Sequence, residues 1–400
     1  MRYFPERLVF ILKKWQKILL LVLAFAVTIL GTALVTLHLS ASPASAAAKK
    51  TAEISTYLDT FFIDDYDEQK LADAAAEAMV EATGDRWSYY LTAEEKSTYD
   101  EQMQNAYVGI GVTITMQESD GGMRIEAVTA GGPAEEAGLQ VGDLITAVGG
   151  ESTVTLGMEG TRGKVKGEEG TRVTLTILRD GDTFDVSVER RSIQTVVAEG
   201  QMLDNQIGYV RIANFDTRCY DETAAAIDSL LAQGAKALIF DVRNNGGGYK
   251  NELVQVLDKL LPEGKLFISR DYRGEERTDT SDAACIELPM AVLVNADSYS
   301  AAEFLAAQLQ ESAGAAVVGE QTSGKGYSQM LFDLPDGSAM GLSTARYFTG
   351  GGKSLIGTGL TPDPQVSLTQ AQQKDLLMGK LAHEDDAQLQ AAIQTLRQEL

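Results

Sequence analysis

The sequence predicts an α/β core that carries an inserted small β domain, with helical segments at both ends and a membrane-spanning helix at the N-terminus. Three observations lead there. From residue 193 onward, strand-like and helix-like runs alternate, as in βαβ units. Between residues 107 and 192 the texture is instead short β-rich runs broken by Gly, Asp and Pro. Residues 18–37, "ILLLVLAFAVTILGTALVTL", hold no charge and reach the ~20 residues needed to cross a hydrocarbon core.

Ahead of that apolar run stand Arg2, Arg7, Lys13, Lys14 and Lys17 against Glu6 alone. The positive-inside bias keeps this end in the cytoplasm and places the bulk of the chain outside it. Residues 1–40 are thus read as a cytoplasmic stub and a single-pass anchor in the cell membrane. The next stretch, "SASPASAAAKK", offers an A-x-A cleavage site at Ala44 to Ala46, and cutting there would give a secreted form. The apolar run exceeds the ~7–15 residues of a signal-peptide core, which favours a retained anchor. Residues 41–106 form a linker and helical segment. In it "LADAAAEAMVEATG" ends at Gly84, and "TAEEKSTYDEQM" offers Thr92 and Glu95 as a capping box.

The 400 residues include 57 acidic and 34 basic ones, a formal charge of −23, and 44% are apolar. Such a chain buries real cores, and its surface repels nucleic acid. Cys219 and Cys285 show no C-x-x-C spacing, so unpaired thiols are expected, with no redox or zinc motif. No metal or cofactor is expected.

The β-rich runs of residues 107–192 include "YVGIGVTITM", "MRIEAVT", "DLITAVGG", "RVTLTILRDG" and "TFDVSVERR". Gly109 and Gly111 precede a strand and let backbone N–H groups converge on an anion. In "GGPAEEAGLQVGDLI", Pro133 starts a short helix that Gly138 stops. Together these stretches resemble a PDZ domain. The resemblance implies that a free peptide C-terminus adds to an open strand edge. Val108, Gly109, Ile110 and Gly111 would then form the carboxylate loop. Ile110, Val112 and the helix around "MEGTRGKVKG" would line an apolar pocket.

Farther on, "QIGYVRIANF" and "KALIFDVRNN" read as strands around the helix "DETAAAIDSLLAQG", which closes on Gly234. The strand "MAVLVNA" leads into the helix "SAAEFLAAQLQESAG", and "GAAVVGE" is the next strand. Residues 193–365 form this core. Residues 366–400 end in an amphipathic helix, apolar at Leu389, Ala392, Ile393 and Leu396.

A peptide-binding module outside the cytoplasm suggests proteolysis, and the chain has two histidines, His38 at the end of the apolar run and His383 in "AHEDDAQ". A Ser-His-Asp triad needs an imidazole base, and no H-E-x-x-H zinc motif exists. What remains is a serine activated by a lysine. Ser300 sits where a helix N-terminus favours developing negative charge, although a plain N-cap serine would stand there too. Lys325 lies between glycines in "GEQTSGKGYSQM". As a base it must be neutral, so burial has to lower its pKa from ~10.4 toward 7. Gln329, four residues on, could orient the amine.

At these motifs the chain resembles the carboxyl-terminal processing, or tail-specific, proteases. The likeness covers "KALIFDVRNNGGG", "MAVLVNADSYSAAEFLAAQL", "VVGEQTSGKGYSQ" and "LPDGSAMGLSTARYFTGGGKSLIGTGLTPD", with "GDRWSYYLTAEE" ahead of the β domain. It implies a crotonase-like protease core and a serine endopeptidase with Ser300 as nucleophile, Lys325 as base and Gln329 positioning the lysine. The N–H groups of Ala301 and Gly247 would form the oxyanion hole. Apart from the resemblance, "DVRNNGGG" reads as a strand followed by a turn, with Asp241 and Arg243 an internal ion pair. Tyr299 stands where the family usually has a small residue, and Trp87 also departs from its wording. The expected partners are proteins or peptides with free C-termini. A homodimer through the terminal helices, residues 51–83 and 384–400, is a further expectation. The rival reading is a catalytically silent PDZ scaffold at the membrane.

Overall fold

The computed structural model describes residues 45–117, 121–203 and 206–400. The expected anchor, residues 18–37, lies outside them. Among the described residues no helix is long and apolar enough to cross a membrane. The chain divides into two compact units, one ending at Ala76 and one beginning at Glu77. The first contains the helix Ala46–Phe61, capped by Ser45, which buries none of its residues.

In the second unit, Thr92 and Glu95 make the capping box expected of them at the start of helix Ala93–Met103. The chain then passes through a two-stranded neck. Strand Ala106–Gly109 pairs antiparallel with Arg191–Gln194, so the small β domain leaves and rejoins the core at one point. Its sheet runs in the order Val112–Gln117, Gly122–Val128, Leu144–Val148, Arg172–Arg179, Asp182–Glu189. Val112–Gln117 is therefore an edge strand. Pro133 opens the short helix Pro133–Glu136, and the helix Thr153–Val165 is kinked at Gly157.

The core sheet orders Ala198–Leu203, Ile207–Ile212, Ala237–Asp241, Met290–Val294 and Ala316–Gly319. The last four run parallel and are almost wholly buried, as crossover helices on both faces require. Helices Cys219–Ala232, Lys250–Leu260 and Ala301–Ala313 cover one face with Phe215, Phe240 and Phe304 in the packing. The C-terminal helix Ala387–Leu396 covers the other with Leu389, Ala392, Ile393 and Leu396. That apolar stripe was expected to pair between chains; its own core already buries it.

Arg243 is fully enclosed. Its guanidinium bonds Asp241 at 2.5 Å and Asp386 at 2.8 Å, and Asp386 caps the C-terminal helix. The Asp241–Arg243 pair is thus structural and anchors the chain's end. Cys219 and Cys285 are both free thiols.

A second sheet pairs Tyr89–Leu91, Tyr327–Asp333 and Gly264–Asp271 with the long strand Ala339–Thr349. It brings residues 85–91 beside the segment that carries Lys325.

Candidate active site

Helix Ala301–Ala313 begins at Ser300, whose φ is 57° and ψ is −125°, and whose side chain makes no capping hydrogen bond. For a residue with a Cβ this conformation costs roughly 1–3 kcal/mol and has to be held by its surroundings. The flanks hold it: Ser298 Oγ donates to Val242 O at 2.7 Å, and Tyr299 N donates to Asn245 O at 3.2 Å. Ser300 holds the N-cap position, but its hydroxyl does not make the hydrogen bond that a plain N-cap serine would make.

Gly247, at φ 95°, abuts the serine; a Cβ there would lie 2.6 Å from Ser300 Cβ. Its N–H does not face an open site. It donates to Asn245 Oδ1 at 2.8 Å, so one of the two expected oxyanion donors is occupied. The Ala301 N–H finds no acceptor among the described residues.

Lys325 is fastened to the same helix. Glu303, buried in the first turn after Ser300, accepts from Gly324 N at 2.8 Å, Lys325 N at 3.0 Å and the Thr322 hydroxyl. Burial raises the Glu303 pKa, and these hydrogen bonds work against the rise. Tyr347 Oη donates to Lys325 O at 2.6 Å. Burial pushes the Tyr347 phenol well above its usual range, and the neighbouring Ser300 hydroxyl opposes this.

The Lys325 ammonium lies over two aromatic rings, 5.0 Å from Trp87 and 5.7 Å from Tyr299. Burial brings its pKa down to about 8, while the charge of Asp85 pulls the other way. The sequence reading required such a neutralising site. Burial alone would also raise Asp85, but hydrogen bonds from Ser343, Ser88 and backbone N–H groups outweigh it and keep the carboxyl below its usual range.

Ser300, Ala301, Gly247 and Lys325 therefore converge. Among the described residues no hydrogen bond joins Lys325 Nζ to Ser300 Oγ or to Gln329. Gln329 Nε2 donates to Tyr327 O at 3.1 Å and Ser343 Oγ at 3.0 Å. Lys325 lies ahead of the strand Tyr327–Asp333, so no single strand period relates it to Gln329. Sequence reasoning missed Glu303, Asp85 and Tyr347. Glu303 had a signal, as the one charge in the apolar run "SAAEFLAA".

The small β domain opens a groove of about 810 Å³ beside the edge strand, lined in part by Ile110, Gly111, Val112, Met158 and Val165. Ile110 O accepts from Ala134 N and Gly111 O from Thr129 N, both at 2.9 Å. Among the described residues the N–H groups of Ile110 and Gly111 have no acceptor, and Gly111 has φ 76°. Gly109 also lines the groove. Val108 is paired with Ser192 in the neck and does not line it.

The PDZ domain family matches residues 124–179, and peptidase family S41 matches residues 206–366. A carboxyl-terminal-processing protease of Synechocystis is 31% identical over 80% of this chain and 76% of its own length. The chain belongs to the S41 peptidase family. Carboxy-terminal processing protease CtpA of Bacillus subtilis is 32% identical over 76% of this chain, and the match spans 65% of that relative. A solved S41 protease structure from Bacteroides fragilis shares the fold at a TM-score of 0.54, with 19% identity over 81% of this chain and 90% of that one. This S41 peptidase is of the serine type and carries a PDZ domain.

Tyr299 and Trp87, two of the residues singled out above, meet in this S41 peptidase. Their ring centroids are 5.8 Å apart, and together they form the face against which the lysine rests. Tyr299 also closes on Gly246, where a Cβ would lie 2.6 Å from its hydroxyl.

Proposed function

We propose that this S41 peptidase is a working endopeptidase that captures free C-termini in its PDZ groove and cleaves the chain at Ser300. The observation that carries the reading is an uncapped, strained serine at a helix start. Beside it a lysine, held near neutrality by burial, is tied to the same helix through Glu303. Neutral Lys325 Nζ takes the Ser300 proton while Oγ attacks the carbonyl carbon, and the oxyanion forms toward the Ala301 N–H. The protonated lysine then gives its proton to the leaving amine. Water then attacks the acyl carbon as the lysine takes its proton; the bond to Oγ breaks, the lysine returns that proton to Oγ, and the acyl group leaves as a carboxylic acid that ionises to the carboxylate.

For this to happen Lys325 Nζ must leave the Trp87–Tyr299 face and reach Ser300. Gly247 can add a second oxyanion donor once Asn245 releases its N–H. A silent scaffold would also lack a serine–lysine bond, and one assay separates the two readings. Purified wild type should cut an unfolded protein that Lys325→Ala leaves intact, with both variants binding a labelled C-terminal peptide. Binding without cleavage by wild type would favour the scaffold.

We further propose an extracytoplasmic location on a membrane anchor at residues 18–37. A homodimer, if formed, rests on the N-terminal helix, where Ile54, Tyr57 and Phe61 are exposed. Light scattering on the soluble part tests this, and a monomer at working concentration removes it.

A further inference from the structure

We propose that Asp216 is the anionic end of a subsite for a lysine or arginine side chain of the substrate, between the captured C-terminus and the scissile bond. The proposal rests on the protease reading above. Asp216 follows strand Ile207–Ile212 and is 7% exposed. With Asn214 it lines the core-side end of the PDZ groove, and its Oδ1 is buried without any hydrogen-bond partner. Buried polar atoms are nearly always paired, so an orphaned carboxylate oxygen calls for a partner that the free protein lacks.

The ordinary structural uses of such an aspartate are excluded. It does not cap the following helix: Cys219 N donates to the main-chain oxygen of Asp216, at 3.1 Å. The cations on adjoining elements are committed elsewhere, Lys96 to Asp100 at 2.5 Å, Arg218 to Glu222 at 2.7 Å and Lys166 to Glu101 at 2.6 Å. Lacking a counter-charge, the carboxyl is pushed up to about 7, by burial first and by the Glu252 charge second.

Its position lies on the way to the chemistry. Phe215 N donates to Gly247 O at 2.8 Å and Tyr249 N to Phe215 O at 2.7 Å, while Gly247 abuts Ser300. A chain that leaves the groove toward the serine therefore passes Asp216. Tyr107 lines the same groove, and its ring offers an apolar wall to a long aliphatic stem. A cationic head would complete the site through a charge-assisted hydrogen bond. The net charge of −23 favours basic chains in the same sense.

The test uses peptides with one fixed apolar C-terminus, in which a single lysine is walked along an otherwise uncharged sequence, each beside its glutamine counterpart. In the wild type, kcat/KM for lysine over glutamine should peak at one position at about tenfold or more. In Asp216→Asn that ratio should fall to about one. A lysine preference that persists in Asp216→Asn, or is absent from wild type at every position, overturns the proposal. Should Asp216→Asn fail to fold, Asp216→Ser takes its place. The same peptides are measured by fluorescence anisotropy on Ser300→Ala with and without Asp216→Asn. Lysine-dependent binding without cleavage by wild type would sink the protease reading and leave the subsite standing. Cleavage without lysine preference would do the reverse.

Discussion

The PDZ groove and the Ser300 centre are prepared to different degrees. For the ligand proposed above the groove is preformed: the edge strand Val112–Gln117 has an unpaired side, and among the described residues the N–H groups of Ile110 and Gly111 have no acceptor. The catalytic centre is not. Lys325 rests on Trp87 and Tyr299, and Gly247 N–H is held by Asn245. In the function proposed above, recognition is built from backbone in one short stretch, while chemistry is built from side chains that must still be brought into line. The missing motion is local, because Glu303 already fixes the lysine's backbone to the serine's helix.

The sharpest break in this comparison is Lys325→Ala, which should lower kcat by about 10²–10⁴-fold, the range expected of a lost general base, with peptide binding in the groove retained. Anisotropy beside turnover measures both. Next is Glu303→Ala, which strands the Gly324 and Lys325 N–H groups and the Thr322 hydroxyl. A loss of about 1–3 kcal/mol per buried unsatisfied group is expected, seen in urea unfolding together with loss of cleavage. Glu303→Gln should restore part of both.

A smaller effect concerns pH. The base is the neutral amine, and below its pKa of about 8 the lysine is charged, so activity should rise as pH passes through that value. Asp85 favours the charged form. Asp85→Asn should therefore lower the Lys325 pKa and move the rising limb to more acid pH; a limb that stays in place would break the assignment. The smallest effect belongs to the groove. Gly111→Ala adds a Cβ at φ 76° and should raise KM several-fold for substrates with a free C-terminus, at roughly 1–2 kcal/mol. Amidated peptides should be unaffected.

The same contrast explains what was legible in the sequence. The helix opened by Pro133 and the Thr92 capping box are local rules with short spacing, and each appears where expected; Gly109, expected in a loop, instead ends the neck strand Ala106–Gly109. Ser300 and Lys325 could be singled out because histidine is so scarce. Glu303 at Lys325, Asp85 at the same lysine and the contact of Trp87 with Tyr299 join segments far apart in the chain, and no periodicity encodes them. Gln329 Nε2 bonds Tyr327 O and Ser343 Oγ, and the second of these contacts joins segments that no four-residue spacing relates. The C-terminal helix looked like a dimer surface because its stripe is visible in sequence, while the sheet that covers it is not.

The central claim is that Ser300 is the nucleophile, and mass spectrometry of peptides released from an unfolded secreted-protein mixture tests it most directly. Wild type should release a reproducible peptide set, and Ser300→Ala, equally folded, should release none of it. The same peptides at the same rate from Ser300→Ala would contradict the account.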